Sequence, residues 1–183
     1  MKLKHLTLFL IYILLASCKS IISLTENVNE KNKFITKEIY ISKIINKTKF
    51  LKEKIYVIDD DFFSPFLNEI ISKHLSTFYG ITNNQKFVSA DQLSVKSCSG
   101  QIINLYSMFL DNSKDIRNED VTEIKILSKL NLDNTKNTII FLYSYKLGGL
   151  YKTKISSVIK ELEGKNNFDY RIISIDNYDI LKK

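Results

Sequence analysis

The chain has 183 residues, a formal net charge of +7 at pH 7 and 44% hydrophobic residues. Five glycines and a single proline argue against a disordered or low-complexity chain. Two cysteines and two histidines argue against a disulfide-rich domain and most zinc centres.

Residues 1–18 have the features of an export signal. Two lysines precede an apolar run at 6–15, and small residues precede Cys18. The run is too short for a transmembrane helix, which needs about 20 apolar residues. The pattern resembles a bacterial lipoprotein signal with its lipobox, which implies cleavage before Cys18 and lipidation of that cysteine. An ordinary secretory signal is the alternative.

This resemblance implies a division of the chain and a location. We expect a signal peptide at 1–17, a lipidated polar tether at 18–33 and a single domain at 34–183. Because Lys19 and Ser20 follow the cysteine, with no Asp in the second position, sorting in Gram-negative bacteria implies the outer membrane, facing the periplasm. In a Gram-positive organism the same signal implies the outer face of the cell membrane.

The positive charge is concentrated near the expected anchor. Residues 19–54 contain nine Lys and four Glu, whereas residues 55–183 contain 16 basic and 16 acidic residues. A basic segment beside a membrane is attracted to anionic headgroups, although the lysines could equally belong to a solvated linker. A nucleic-acid binder would carry its basic patch on the folded domain, so we expect no nucleic-acid partner.

The first half of the domain predicts two strands and two helices. Strands are expected at 37–42 and 54–59. Apolar residues at helical spacing then predict a helix over 65–79, with Ser64 as its N-cap, Pro65 in its first turn and Gly80 as its stop signal. Residues 102–110 predict a buried helix.

The second half predicts a βαβ unit. Residues 119–130 could form a short helix or an extended segment, and periodicity does not decide between them. Continuous β-branched and aromatic runs predict two buried strands around an amphipathic helix, at 138–145, 150–162 and 170–176. Short loops between strand, helix and strand imply parallel strands and a right-handed crossover. We therefore expect an α/β fold with a small mixed sheet.

The segment 137–177 resembles the central unit of thioredoxin-like proteins. In that family an apolar strand leads into a Cys-x-x-Cys loop, a long helix follows, and the next strand ends near an Asp. Here the corresponding loop reads SYKLGG at 144–149 and the second strand ends at Asp176. Because the cysteine pair carries the redox chemistry of the family, the resemblance implies a redox-inactive relative. A generic βαβ unit is the alternative.

The same loop is a candidate anion site. Gly148 and Gly149 precede a predicted helix N-terminus, whose N–H groups attract phosphate or carboxylate, and Lys146 lies nearby. The loop matches neither of the two common glycine-rich nucleotide motifs. A purely structural turn is the alternative.

Asp59, Asp60 and Asp61 form an acidic run after a predicted strand. Such a run can bind Mg²⁺ through carboxylate oxygens. The alternative is a solvated turn in which the acids favour the positive end of the following helix. We assign no metal and no cofactor.

Cys98 remains as the one thiol outside the lipidation signal. It could act as a nucleophile with His74 as base, but we expect it to be buried, and we expect His74 on the apolar face of its helix.

The sequence thus predicts a lipid-anchored protein of the bacterial envelope. Its domain is expected to bind a protein or small ligand at the membrane without catalysis. A thioredoxin-like enzyme, or one using Cys98 or the acidic run, is the alternative.

Overall fold

A computed structural model describes most of the domain expected from the sequence. The described residues belong to one compact unit and are 36–58, 60–83, 86–93, 98–112, 116–121, 124–133, 135–165 and 167–176. The predicted signal, the predicted tether and Cys18 lie outside them. Among the described residues, no helix is both long enough and apolar enough to cross a membrane.

The fold is mixed α/β, which confirms the predicted class. The helices in the described residues are α1 (Lys37–Thr48), α2 (Asp60–Ser72), α3 (Ser99–Leu110) and α4 (Gly148–Leu162). The strands are β1 (Ile55–Val57), β2 (Phe78–Thr82), β3 (Phe87–Ser89), β4 (Asn137–Tyr143) and β5 (Phe168–Ser174).

The strands form one mixed sheet in the order β1-β5-β4-β2-β3. Strand β5 is parallel to both β1 and β4, and β2 is antiparallel to β4 and β3. The predicted βαβ unit is confirmed as β4–α4–β5, paired from Asn137 with Phe168 to Tyr143 with Ser174. The inner part of β4 is fully buried, as its continuous apolar sequence requires.

The predicted strand at 37–42 is wrong, because these residues begin α1. The Thr36 hydroxyl accepts a hydrogen bond from the N–H of Ile39 and so caps the helix. Tyr40, Ile44 and Thr48 repeat every four residues and form the buried face. The Ile and Tyr residues of this segment, which favour a strand, lie here in a helix, and Ile39 is exposed.

Helix α2 starts earlier and ends earlier than predicted. It begins at Asp60 and contains Pro65. It stops after Ser72 because His74 adopts a left-handed conformation with φ 51°. Leu75 N–H then donates to the Ile70 carbonyl and His74 N–H to that of Ile71, the paired bonds of a Schellman motif.

Gly80 is therefore not a helix stop but a residue of β2. A Cβ atom there would lie 2.3 Å from the Phe87 ring and 2.6 Å from the Val88 carbonyl oxygen. The close approach of β3 requires glycine, and the sequence alone did not predict either strand of this hairpin.

The segment 119–130 is mostly irregular where it is described. It contains a short 3₁₀ helix at Leu127–Lys129, and the N–H of Glu119 donates to the Phe87 carbonyl at 2.8 Å. The segment therefore contacts β3, at the edge of the sheet, through Glu119.

Candidate functional site

The predicted anion loop lies where β4 leads into α4. Lys146 is exposed in the turn, Gly148 is buried as the first helical residue, and Gly149 is exposed. Among the described residues no side chain caps this helix, and its first turn carries no acid. The partial positive charge at the N-terminus of α4 therefore has no partner within the helix itself.

A second lysine, which the sequence did not indicate, reaches this N-terminus. The Lys47 ammonium, from the last turn of α1, donates to the Tyr145 carbonyl at 3.1 Å and lies 4.4 Å from the centroid of the Tyr145 ring. A Cβ atom on Gly148 would lie 2.5 Å from Lys47 Cε. Lys47 is thus a cation beside Gly148 in addition to Lys146. It comes about a hundred positions before Gly148 and Gly149 in the sequence.

Next to this turn, Asp176 forms a buried hydrogen-bonded centre. Its Oδ1 accepts from the Ser144 hydroxyl at 2.7 Å. Its Oδ2 accepts from the Tyr145 N–H and from the Tyr40 hydroxyl, both at 2.5 Å. Asp176 follows β5, where the thioredoxin-like pattern implied an acid, and here it links α1 to the loop before α4.

The tyrosine at this centre stays protonated. Burial, followed by the nearby Asp176 carboxylate, raises the pKa of Tyr40 far above its usual range. Tyr40 therefore donates to Asp176, and its oxygen also lies 2.5 Å from Ser174 Oγ.

Tyr143, at the end of β4, differs from Tyr40. Its side chain is fully buried, and its hydroxyl has no hydrogen-bond partner in the described part of the chain. The hydroxyl would lie 3.0 Å from a Cβ on Gly148. Burial first, and then Asp176 and Tyr145, raise the pKa of Tyr143, so the group is a buried donor without an acceptor.

The acidic run is only partly described. Asp59 and the side chain of Asp60 lie outside the described residues, Asp60 begins α2, and Asp61 is exposed. Among the described residues, no three His, Cys, Asp or Glu side chains gather as metal ligands would. The assignment of no metal stays a prediction.

Cys98 and His74 also differ from expectation. Cys98 is half-buried rather than buried, and it directly precedes α3, where its carbonyl accepts from the N–H groups of Gln101 and Ile102. His74 is exposed beyond the end of α2, so the prediction that it lies on the apolar face of a helix is wrong.

A cavity of 410 Å³ lies between α2 and the segment 119–126. Five of its lining residues are apolar: Phe62, Pro65, Phe66, Ile124 and Ile126. The other five, here called the charged wall, are Glu69, Lys73, Glu119, Asp120 and Lys125. The sequence did not indicate this cavity, because the irregular segment that closes it has no periodic pattern.

The charged wall is partly organised. Lys73 Nζ lies 3.3 Å from Glu69 Oε1 and 3.7 Å from Glu119 Oε2. The Tyr79 hydroxyl donates to Glu69 Oε1 at 2.9 Å. These contacts hold Glu69 in place from the sheet side, so the cavity has a fixed carboxylate beside an aromatic wall.

The chain matches no known protein family, no curated protein and no solved structure.

Proposed function

We propose that this protein is a lipid-anchored envelope lipoprotein whose α/β domain binds a small amphipathic ligand without catalysing a reaction. The anchor rests on the pattern of residues 1–18, and the ligand on one observation, the 410 Å³ cavity. Its volume is within the range of small-molecule sites, which combine apolar walls with a few convergent polar groups.

The lining determines the class of ligand. Phe62 and Ile124 offer an apolar surface, and three acids outnumber two lysines in the charged wall. Lys73 already contacts both Glu69 and Glu119. The carboxylate oxygens of the wall therefore outnumber its remaining N–H donors, and a ligand that donates hydrogen bonds is favoured. The ligand therefore has an apolar body and a cationic head such as an amine.

The anchor is tested by metabolic labelling of the full chain with an alkyne analogue of palmitate in a bacterial host. Cys18→Ala should abolish the label and release the protein from the membrane fraction. Cys98→Ala, the matched cysteine variant, should keep both. Retention of the label in Cys18→Ala would refute the anchor.

The ligand class is tested with octylamine, octanol and octanoate, which share a chain and differ in head charge. Octylamine should shift the methyl NMR signals of Ile124 and Ile126 at the lowest concentration, and octanoate at the highest. Phe62→Ser should weaken the binding of octylamine, whereas Ile71→Ser, an exposed residue of the same helix, should not. Equal response to all three probes, or no loss in Phe62→Ser, would contradict the proposal.

A further inference from the structure

We propose that the N-terminus of α4 is a second binding site, for a phosphate group, in which Lys47 and the Tyr143 hydroxyl join the free N–H groups of the helix. This site is separate from the cavity and does not depend on the function proposed for it.

The helix supplies the first part of the site. The Gly148 N–H donates to the Tyr145 carbonyl at 3.3 Å. The next two N–H groups, those of Gly149 and Leu150, belong to the first turn of the helix and therefore have no acceptor within it. Helix α4 is 15 residues long, with no capping side chain and no acid in its first turn. An anion placed here would meet both N–H donors and the positive end of the helix.

The second part is the buried hydroxyl of Tyr143. A buried donor without an acceptor costs about 1–3 kcal/mol, so its retention calls for an explanation. The hydroxyl and the Lys47 ammonium lie within 3.0 Å and 2.7 Å of one point, the position of a Cβ on Gly148. Because Gly148 has no Cβ, both groups approach its backbone from one side, and an oxyanion in the space that the Lys47 terminus now fills would lie beside the Tyr143 hydroxyl.

Lys47 covers the point in the present structure, because its terminal carbon and ammonium fill the space over Gly148. Lys47 is exposed, and its hydrogen bond to the Tyr145 carbonyl is the one contact of its ammonium with an oxygen that the structure describes. A small rotation would uncover Gly148 and keep the ammonium beside the anion.

The charged groups around the site are compatible with a phosphate. Asp176 is the nearby acid, and its two oxygens are already engaged by three donors, from Tyr40, Ser144 and Tyr145. Those donors are neutral and leave its negative charge in place, so the positive charge for a phosphate comes from Lys47 and the exposed Lys146 at the turn. Free phosphate and a lipid phosphate monoester share the required chemistry.

Glycine amides give a direct test, because the chain has only five glycines. The full chain, labelled with ¹⁵N-glycine, is titrated with inorganic phosphate and with dihexanoyl phosphatidic acid, and dihexanoyl phosphatidylcholine is the control. The signals of Gly148 and Gly149 should shift and saturate. Gly100 is the matched reference, since it lies in the first turn of α3, which also lacks a capping side chain and an acid.

Two variants identify the groups. Tyr143→Phe and Lys47→Met should each weaken phosphate binding about tenfold, the loss expected for a hydrogen bond to a charged group. Saturation by phosphatidic acid at a tenth of the inorganic phosphate concentration, or less, assigns the site to a lipid headgroup, and similar affinities assign it to free phosphate. The proposal fails if Gly148 and Gly149 do not respond, if Gly100 responds equally, or if both variants bind like the parent.

Discussion

Strand β5 has a buried aspartate at its amino end and a second one just beyond its carboxyl end, and the two carboxylates have different partners. At the amino end, Asp169 contacts Lys54 at 2.6 Å and Arg171 at 2.7 Å. At the carboxyl end, Asp176 accepts only from two hydroxyls and a backbone N–H among the described contacts. One end is an ion-pair network and the other is a set of neutral donors.

The difference separates a structural end from a binding end. Arg171 also donates to the carbonyls of Leu130 and Asn131, so the amino end ties the irregular segment to the sheet. The carboxyl end keeps a hydroxyl without a partner, on Tyr143, and a displaceable ammonium, on Lys47. Ligands of open α/β sheets bind at the carboxyl ends of parallel strands, which agrees with this division.

The largest effect is expected at the amino end. Arg171→Met should lower the free energy of unfolding by about 3–5 kcal/mol, because it breaks a buried ion pair and leaves the buried carbonyl of Leu130 and the carbonyl of Asn131 without their donor. Denaturant unfolding of the parent and the variant measures the difference. Lys165→Met, which removes a solvent-exposed pair with Glu161, should cost less than about 1 kcal/mol. Equal losses of unfolding free energy in the two variants would contradict the distinction between a buried and a solvent-exposed ion pair.

A smaller effect is expected from a matched pair of tyrosines at the carboxyl end. Tyr40→Phe removes a donor to a buried carboxylate and should cost about 1–3 kcal/mol. Tyr143→Phe removes a hydroxyl that has no partner in the described structure, so it should be neutral or stabilising. The same unfolding measurement checks both. A loss in Tyr143→Phe as large as in Tyr40→Phe would mean that its hydroxyl has an acceptor.

Acid should weaken the amino end. Burial alone would raise the pKa of Asp169, but hydrogen bonds from Lys54 and the Tyr170 N–H, together with Arg171, hold this pKa below its usual value. A carboxyl whose folded pKa is depressed stabilises the fold above its unfolded pKa and loses that stabilisation as the pH falls through the folded value.

Stability should therefore decline below about pH 4, the usual pKa of Asp. Asp169→Asn should make this decline shallower in unfolding experiments across pH 2–6. Asp133→Asn is the matched control, because hydrogen bonds from Thr135 also lower the pKa of Asp133 but its side chain is exposed. If stability falls with pH as steeply in Asp169→Asn as in the parent, Asp169 is not the carboxyl responsible for the decline.

The smallest effects are expected away from both ends. Cys98→Ser and Asp61→Asn should leave ligand binding and the cellular phenotype unchanged, since the proposed sites use neither residue. Loss of function in a variant that still accumulates folded would support the thiol-dependent or metal-dependent alternative. The measurement is complementation with the variant chain, with protein levels compared by immunoblot.

The sequence predicted β4, α4 and β5 well because each is long and has one clear pattern. It failed at α1, where Ile and Tyr residues favoured a strand although the buried face repeats every four residues. It also failed at Gly80, since a glycine that fits the end of a helix also fits a tight strand contact. In both places, packing against residues distant in the sequence determined the structure, and the local pattern did not.

The candidate site shows the same limit. Lys146, Gly148 and Gly149 were found because they are adjacent in sequence. Lys47 was not, because no local pattern relates it to a turn that lies about a hundred residues later. The orphan hydroxyl of Tyr143 was equally hidden, since a tyrosine in a buried strand gives no sign of whether its oxygen finds a partner.

The order of the strands has a consequence for the timing of folding. In the part of the chain that the structure describes, β1 pairs only with β5, with Ile55 opposite Ile172, so the sheet cannot close until β5 is available. Such distant pairing slows folding because a long loop must close first. A nascent chain would carry β1 as an unpaired edge until the last strand is synthesised, and a chaperone that delays collapse would protect it during that interval.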